Sequence, residues 1–194
     1  MILAIDPSLT NTAFVYGNEL VYDMATFGSK NIGDDAAARV ARYDEFVGRM
    51  MDWIGVRVPT AIYIEAYSYG SNDARAKFSA EYGGILRWHL AELTDRIFEV
   101  APMTLKKFCT GKGAGGKDLV AAHLSRRWNV MFKSNDEFDA FGLFKLGLVA
   151  EGLAQPDSQA QREAADKVLG IATPKKKSLK PRSVKPSTTS EILW

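Results

Sequence analysis

The chain has 194 residues and 46% of them are hydrophobic, enough for one packed domain with an appendage. A lone cysteine, Cys109, excludes an internal disulfide, and neither a signal peptide nor an apolar run of bilayer length is visible, so a cytoplasmic protein without a membrane partner is expected. The net charge of +2 is unevenly placed: of 25 Lys/Arg and 23 Asp/Glu, six and one fall in residues 173–194, leaving 19 bases against 22 acids elsewhere. A mildly acidic globule with a basic tail excludes a uniformly charged surface and points to a polyanionic partner.

Residues 1–5 predict an apolar strand closed by Asp6, and 6–11 a turn. Ala13-Phe14-Val15-Tyr16 predicts a strand, Gly17-Asn18 a hairpin turn, and 20–27 the returning strand. Asp34 and Asp35 are caps for a helix over about 36–54, whose apolar Val40, Tyr43, Phe46, Val47, Met50, Met51 and Ile54 recur at three and four. Ala61-Ile62-Tyr63-Ile64 predicts a strand ending at Glu65, and 67–72 a loop. Asp73 then caps a second long helix reaching about Thr94. A short strand is expected over 97–100, a connection with a helical turn over 102–110, and a glycine-rich loop over 111–116. Helices follow over 117–128 and 136–152; Gln155-Pro156 breaks the second, and 158–169 predicts a last polar helix. From Pro174 onward Lys, Pro, Ser and Thr dominate, too few apolar residues to fold alone. Three antiparallel strands followed by parallel strand–helix units predict an α/β protein: a mixed five-stranded sheet with helices on both faces and a flexible basic C-terminal tail.

Four carboxylates stand at the edges of these apolar segments. Asp6 and Glu65 end strands, and Asp136 and Asp139 open a helix at i, i+3 spacing, on one face. Each alone also reads as a turn former, a solvated strand end or a favourable charge at a helix N-terminus. Gathered at one side of a sheet they would repel unless a cation lay among them. Mg²⁺ suits such a set, because it takes carboxylate oxygens together with substrate phosphates. The acids therefore suggest phosphodiester chemistry. Glu137 is rotated by about 100° from Asp136 and is the weaker candidate.

These segments resemble the RuvC-like Holliday-junction resolvases of the RNase H-like superfamily. Ile2-Leu3-Ala4-Ile5-Asp6-Pro7-Ser8 looks like that family's opening strand and first acid, Ile64-Glu65 its second, and Asp136-Glu137-Phe138-Asp139-Ala140 its D-x-x-D-A helix start. Val100-Ala101, Leu105-Lys106, Gly111-x-Gly113 and residues 117–120 match its spacing without a gap. The resemblance covers roughly residues 1–150. It implies a nuclease domain over 1–155, a helical extension over 156–172 and a basic tail over 173–194. It further implies a Mg²⁺-dependent endonuclease that resolves four-way and other branched DNA by paired symmetric nicks. Asp6, Glu65, Asp136 and Asp139 would hold two ions per site, with Mn²⁺ able to substitute. Lys106 and Lys117 would lie near the scissile phosphate, and two symmetric cuts imply a homodimer. The helix after Asp73, with Phe78, Tyr82, Ile85, Leu86 and Leu90, is the expected contact, with packing inside the chain as the alternative for the same face. The chain departs from the pattern at Ser68, where the family carries an aromatic wedge. Here Tyr67 and Tyr69 flank that place, as wedge or as packing. The divergence and the tail look more like a phage-encoded member than the cellular enzyme.

From Lys106 to Lys133 the chain holds Lys106, Lys107, Lys112, Lys117, Arg126, Arg127 and Lys133 against Asp118 alone, a run suited to DNA phosphates. Lys175, Lys176 and Lys177 head the tail as a DNA arm, and its Ile192-Leu193-Trp194 is an apolar cluster suited to docking on this domain or on a partner protein. His89 and His123 lack ligand spacing. Two further readings stay open: another RNase H-like nuclease that cuts hybrids or flaps, and a junction-binding protein without catalysis. An actin-like ATPase is disfavoured, since no second glycine-rich phosphate strand is present.

Overall fold

The computed structural model describes residues 1–28, 35–67, 74–113 and 116–171; of residues 74–76 and 117 it describes the backbone alone. The strands are β1 (Ile2–Asp6), β2 (Thr12–Gly17), β3 (Tyr22–Phe27), β4 (Ala61–Glu65) and β5 (Ile97–Val100). They form one sheet in the order β3-β2-β1-β4-β5. β1 pairs antiparallel with β2 and parallel with β4, β3 is antiparallel to β2, and β5 is parallel to β4. The mixed sheet is the one expected. β1 lies at its centre and is buried along its whole length, as its unbroken apolar run requires.

Alternation along the central strands divides the core into two layers. Leu3, Ile5, Phe14, Ile62 and Ile64 face α1 (Ala36–Ile54) and α2 (Ala74–Ala91), packing on Phe46, Met50, Tyr82 and Leu86. Ile2, Ala4, Ala13, Val15, Ala61 and Tyr63 face the other way. They meet α3 (Pro102–Thr110), α4 (Lys117–Trp128) and α5 (Asn135–Ala150), with Ala164 of α6 (Gln159–Val168) in the same layer. α6 lies against α3 and α5. The approach of α5 to the sheet is unusually close. A Cβ on Gly147 would stand 2.7 Å from the Tyr63 ring and 2.9 Å from Ile2.

Element ends differ from the sequence expectation where turn chemistry intervenes. β3 begins at Tyr22, two residues late, because Asn18 Oδ1 accepts from the N–H groups of Leu20 and Val21 and holds them in the turn. Residues 102–110 are a complete helix rather than a connection. Pro102 presets its first turn, Thr104, Leu105, Phe108 and Cys109 are buried, and Gly111 closes it at φ 78°. α2 ends at Ala91, short of Thr94, and α5 at Ala150, two residues before Gly152. Asp35 caps α1 by accepting from the Ala38 N–H. Asp34 and Asp73 lie outside the described residues.

Candidate active site

Asp6 follows Ile2 and Ala4 in the alternation of β1, and Glu65 follows Ala61 and Tyr63 in that of β4. Both acids thus belong to the face covered by α5. Ile5 pairs with Ile64 in the parallel register, so Asp6 and Glu65 close adjacent central strands at the same end. Crevices beyond the carboxyl ends of parallel strands are the usual ligand sites of α/β sheets. Asp6 is 5% exposed, a buried carboxylate, whereas Glu65 is half-buried.

The other two acids lie in the first turns of α5. Ser134 caps it, accepting from the Glu137 N–H at 3.2 Å, while Glu137 Oε2 reaches back to the Lys133 N–H at 2.6 Å. This reciprocal cap engages Glu137 and leaves it a structural role. Asp136 is tied to the turn after β1: Asn11 Nδ2 donates to its Oδ2 at 3.0 Å and to Ser134 Oγ at 3.3 Å. Asp139 stands one turn further along, half-buried, near the Cys109 thiol. Burial first, and the Asp139 charge second, push that thiol well above its ordinary range, so Cys109 is an inert core residue.

The turn between β1 and β2 is locked from within. Thr12 is fully buried; its hydroxyl donates to the Ser8 carbonyl at 2.7 Å and lies 2.7 Å from Tyr82 Oη on α2, while the Ser8 N–H donates back to Thr12 Oγ1 at 3.1 Å. Asn11, Thr12 and Tyr82 thus hold the segment leaving Asp6. Sequence reading gave none of the three this role: Asn11 fell in the predicted turn, Thr12 drew no notice, and Tyr82 was assigned to the expected dimer contact.

The basic residues fall into two groups. Lys106 is half-buried on α3 and Lys112 is exposed just beyond it. Lys107 Nζ is 2.6 Å from Glu163 Oε2 on α6, and Arg127 Nε is 2.8 Å from Asp157 Oδ2, so both carry an acidic partner from the extension. Arg126 is exposed at the end of α4. Lys117 opens α4, and its side chain lies outside the described residues, as do Tyr69 and the tail with Lys175, Lys176, Lys177 and Ile192-Leu193-Trp194. Tyr67 packs on α2, with the Arg87 guanidinium 4.2 Å from its ring centre and its hydroxyl donating to the Ala80 carbonyl at 3.4 Å. Of the expected dimer contact, Tyr82, Leu86 and Leu90 are buried between α2, α1 and the sheet and are not available to a partner. The outward side of α2 carries Lys77, Ala80, Gly84 and Trp88 instead, Trp88 being 74% exposed.

Sheet order and helix placement define a mixed α/β protein of RuvC-like fold. Thermus thermophilus RuvC shares it at TM-score 0.56 and 20% identity, over 80% of this chain and 98% of that one. So does Thermus thermophilus RuvC in complex with a Holliday junction substrate, at TM-score 0.55 and 16% identity, over 88% and 96%. A weaker likeness, at TM-score 0.42 and 13% identity over 74% and 94%, is to the fowlpox virus Holliday junction resolvase. No family model and no curated protein sequence matches the chain. Among the described residues no helix is long and apolar enough to cross a membrane.

Proposed function

We propose that this chain is a divalent-metal-dependent, structure-selective endodeoxyribonuclease that resolves four-way DNA junctions by paired symmetric nicks. The observation that carries this reading is the placement of Asp6 and Glu65 on one face and at one end of adjacent central strands, against the helix that begins with Asp136 and Asp139. The fold shared with RuvC, one structure of which holds a Holliday junction substrate, supports it.

The donor set is all oxygen and all carboxylate, which suits Mg²⁺ or Mn²⁺ over softer ions. Among the described residues no three His, Cys, Asp or Glu side chains are drawn together into a ready-made metal site. That is compatible with Mg²⁺, which keeps several waters and shares its shell with substrate phosphates rather than sitting in a cage of protein. Asp6, Glu65, Asp136 and Asp139 would hold two ions, which when bound supply an activated water and stabilisation of the leaving 3′ oxygen. Asp6 gives this set a rigid, buried anchor. Asn11 orients Asp136, and Lys106 and Lys117 offset charge that grows on the phosphate. The products would carry 5′-phosphate and 3′-hydroxyl ends. Two symmetric nicks call for two such sites, hence a C₂ dimer, with the outward side of α2 as its contact. The basic tail adds a DNA arm, and we read the chain as a phage-encoded member of the group.

The test is a labelled mobile four-way junction incubated with Mg²⁺, with both strands mapped, alongside a hybrid duplex of matched length. Symmetric nicks in the junction, lost in Asp6→Asn with junction binding retained or tightened, are expected. Asp6→Asn cutting within about tenfold of wild type, against the factor of hundreds or more that an essential group supplies, would remove Asp6 from the site. Preference for the hybrid would replace the junction reading.

A further inference from the structure

We propose that Arg87 is a positioning residue that fixes the end of β4, and with it Glu65, to the first residues of the segment that follows. This rests on the nuclease reading above and adds to it a residue that neither motif nor charge run singled out.

Arg87 lies on α2, whose other described side chains pack on α1 and the sheet or face outward. Its guanidinium is engaged on both edges and on one face. Nε donates to Glu99 Oε1 of β5 at 2.6 Å, Nη1 to the Gly83 carbonyl at 3.1 Å, and Nη2 to the Glu65 carbonyl at 3.4 Å. The flat of the same group covers the Tyr67 ring at 4.2 Å. The side chain is 18% exposed. A planar fork with five donors can serve these partners together, whereas a lysine ammonium can serve the ion pair but not the stack and the two carbonyls at once.

Two further contacts complete the arrangement. The Ala66 N–H donates to the Val100 carbonyl at 2.9 Å, carrying the β4–β5 ladder one residue past Glu65. Tyr67 then turns onto α2 over Gly83, where a Cβ would stand 2.4 Å from the tyrosine oxygen. Glu65, Ala66 and Tyr67 are therefore held by an edge strand, a helix and one arginine. This anchoring sets where the Glu65 side chain leaves the strand, and a shift of about 1 Å in a reacting constellation costs about a hundredfold in rate.

Arg87→Lys is the direct test, since it keeps the charge and the Glu99 pair but removes the fork. At saturating enzyme the single-turnover nicking rate should fall about tenfold or more, between no effect and the cost of a full misplacement, while junction Kd and Tm stay close to wild type. Amide exchange at Ala66 should quicken in the same variant. A wild-type nicking rate, or a rate loss matched by a fall in Tm or affinity, overturns the proposal. If Arg87→Lys does not fold, Glu99→Gln, at a half-exposed site, should show the same pattern in smaller degree, and wild-type rate and exchange there overturn it equally. Failure of the wild type to cut junctions sinks the nuclease reading alone. Unchanged exchange at Ala66 in the variant sinks the clamp whether or not the wild type cuts.

Discussion

Tyr63 and Tyr82 show how single buried polar groups are made tolerable in this core. Tyr63 is fully buried in β4, and its hydroxyl donates to Glu151 Oε1 at 2.9 Å. Glu151 is in turn gripped by Arg96 at 2.7 and 2.8 Å. Burial, then the Glu151 carboxylate, raise the Tyr63 phenol far above its ordinary value, and burial does the same for Tyr82. In the unfolded chain both ionise near pH 10. The folded state therefore holds protons that the unfolded state releases, so this contribution is complete below about pH 10 and is lost as pH rises beyond it. Alkaline titration followed at the tyrosinate absorbance should show part of the seven tyrosines ionising only together with loss of the far-ultraviolet dichroism. Ionisation of all seven before unfolding would contradict the burial of these two.

At the scale of elements, α5 combines two demands: it carries Asp136 and Asp139 and packs closely on β1 and β4. Gly147 meets the second. Gly147→Ala should destabilise by about 1–3 kcal/mol, since overpacking against Tyr63 and Ile2 outweighs the roughly 1 kcal/mol gained in helix propensity. Gly48→Ala on α1, where a Cβ meets nothing within 4 Å, should instead stabilise by about 0.5–1 kcal/mol. Urea unfolding of both variants checks the contrast. α6 poses a different question, because its Glu163 holds Lys107, one of the cations expected to meet DNA. Glu163→Gln should strengthen duplex binding at low salt and steepen the salt slope by about one unit, the value of one released phosphate contact. An unchanged slope would show that Lys107 faces away from DNA.

For the whole molecule, charge is segregated along the sequence: residues 1–172 hold 19 bases against 22 acids and residues 173–194 six against one. A tethered basic arm raises non-specific, salt-sensitive affinity without choosing a structure. Truncation after Thr173 should weaken binding to linear duplex more than to junctions at low salt and leave the nicking rate at saturation similar. Loss of junction selectivity on truncation, measured by competition between the two DNAs, would overturn that division.

The β-strands and most helices were legible because their signals are local. Alternation, three-and-four spacing and capping residues act over a few neighbours, so β1, α1 and α4 lie where the residues place them. The four acids stood out for the same reason, Asp6 and Glu65 closing apolar strands and Asp136 and Asp139 opening an apolar helix. What the linear chain could not give was who stands beside whom. The Ile5–Ile64 register that sets Asp6 next to Glu65 joins residues 59 positions apart, and the Asn11–Asp136 bond joins residues 125 apart. The Arg87 fork, the engagement of Lys107 by Glu163 and the burial of Tyr82 are likewise products of packing. Local free energies fix elements; only the tertiary arrangement decides which side chain meets which, because those meetings depend on crossovers and helix faces that no short window of sequence contains.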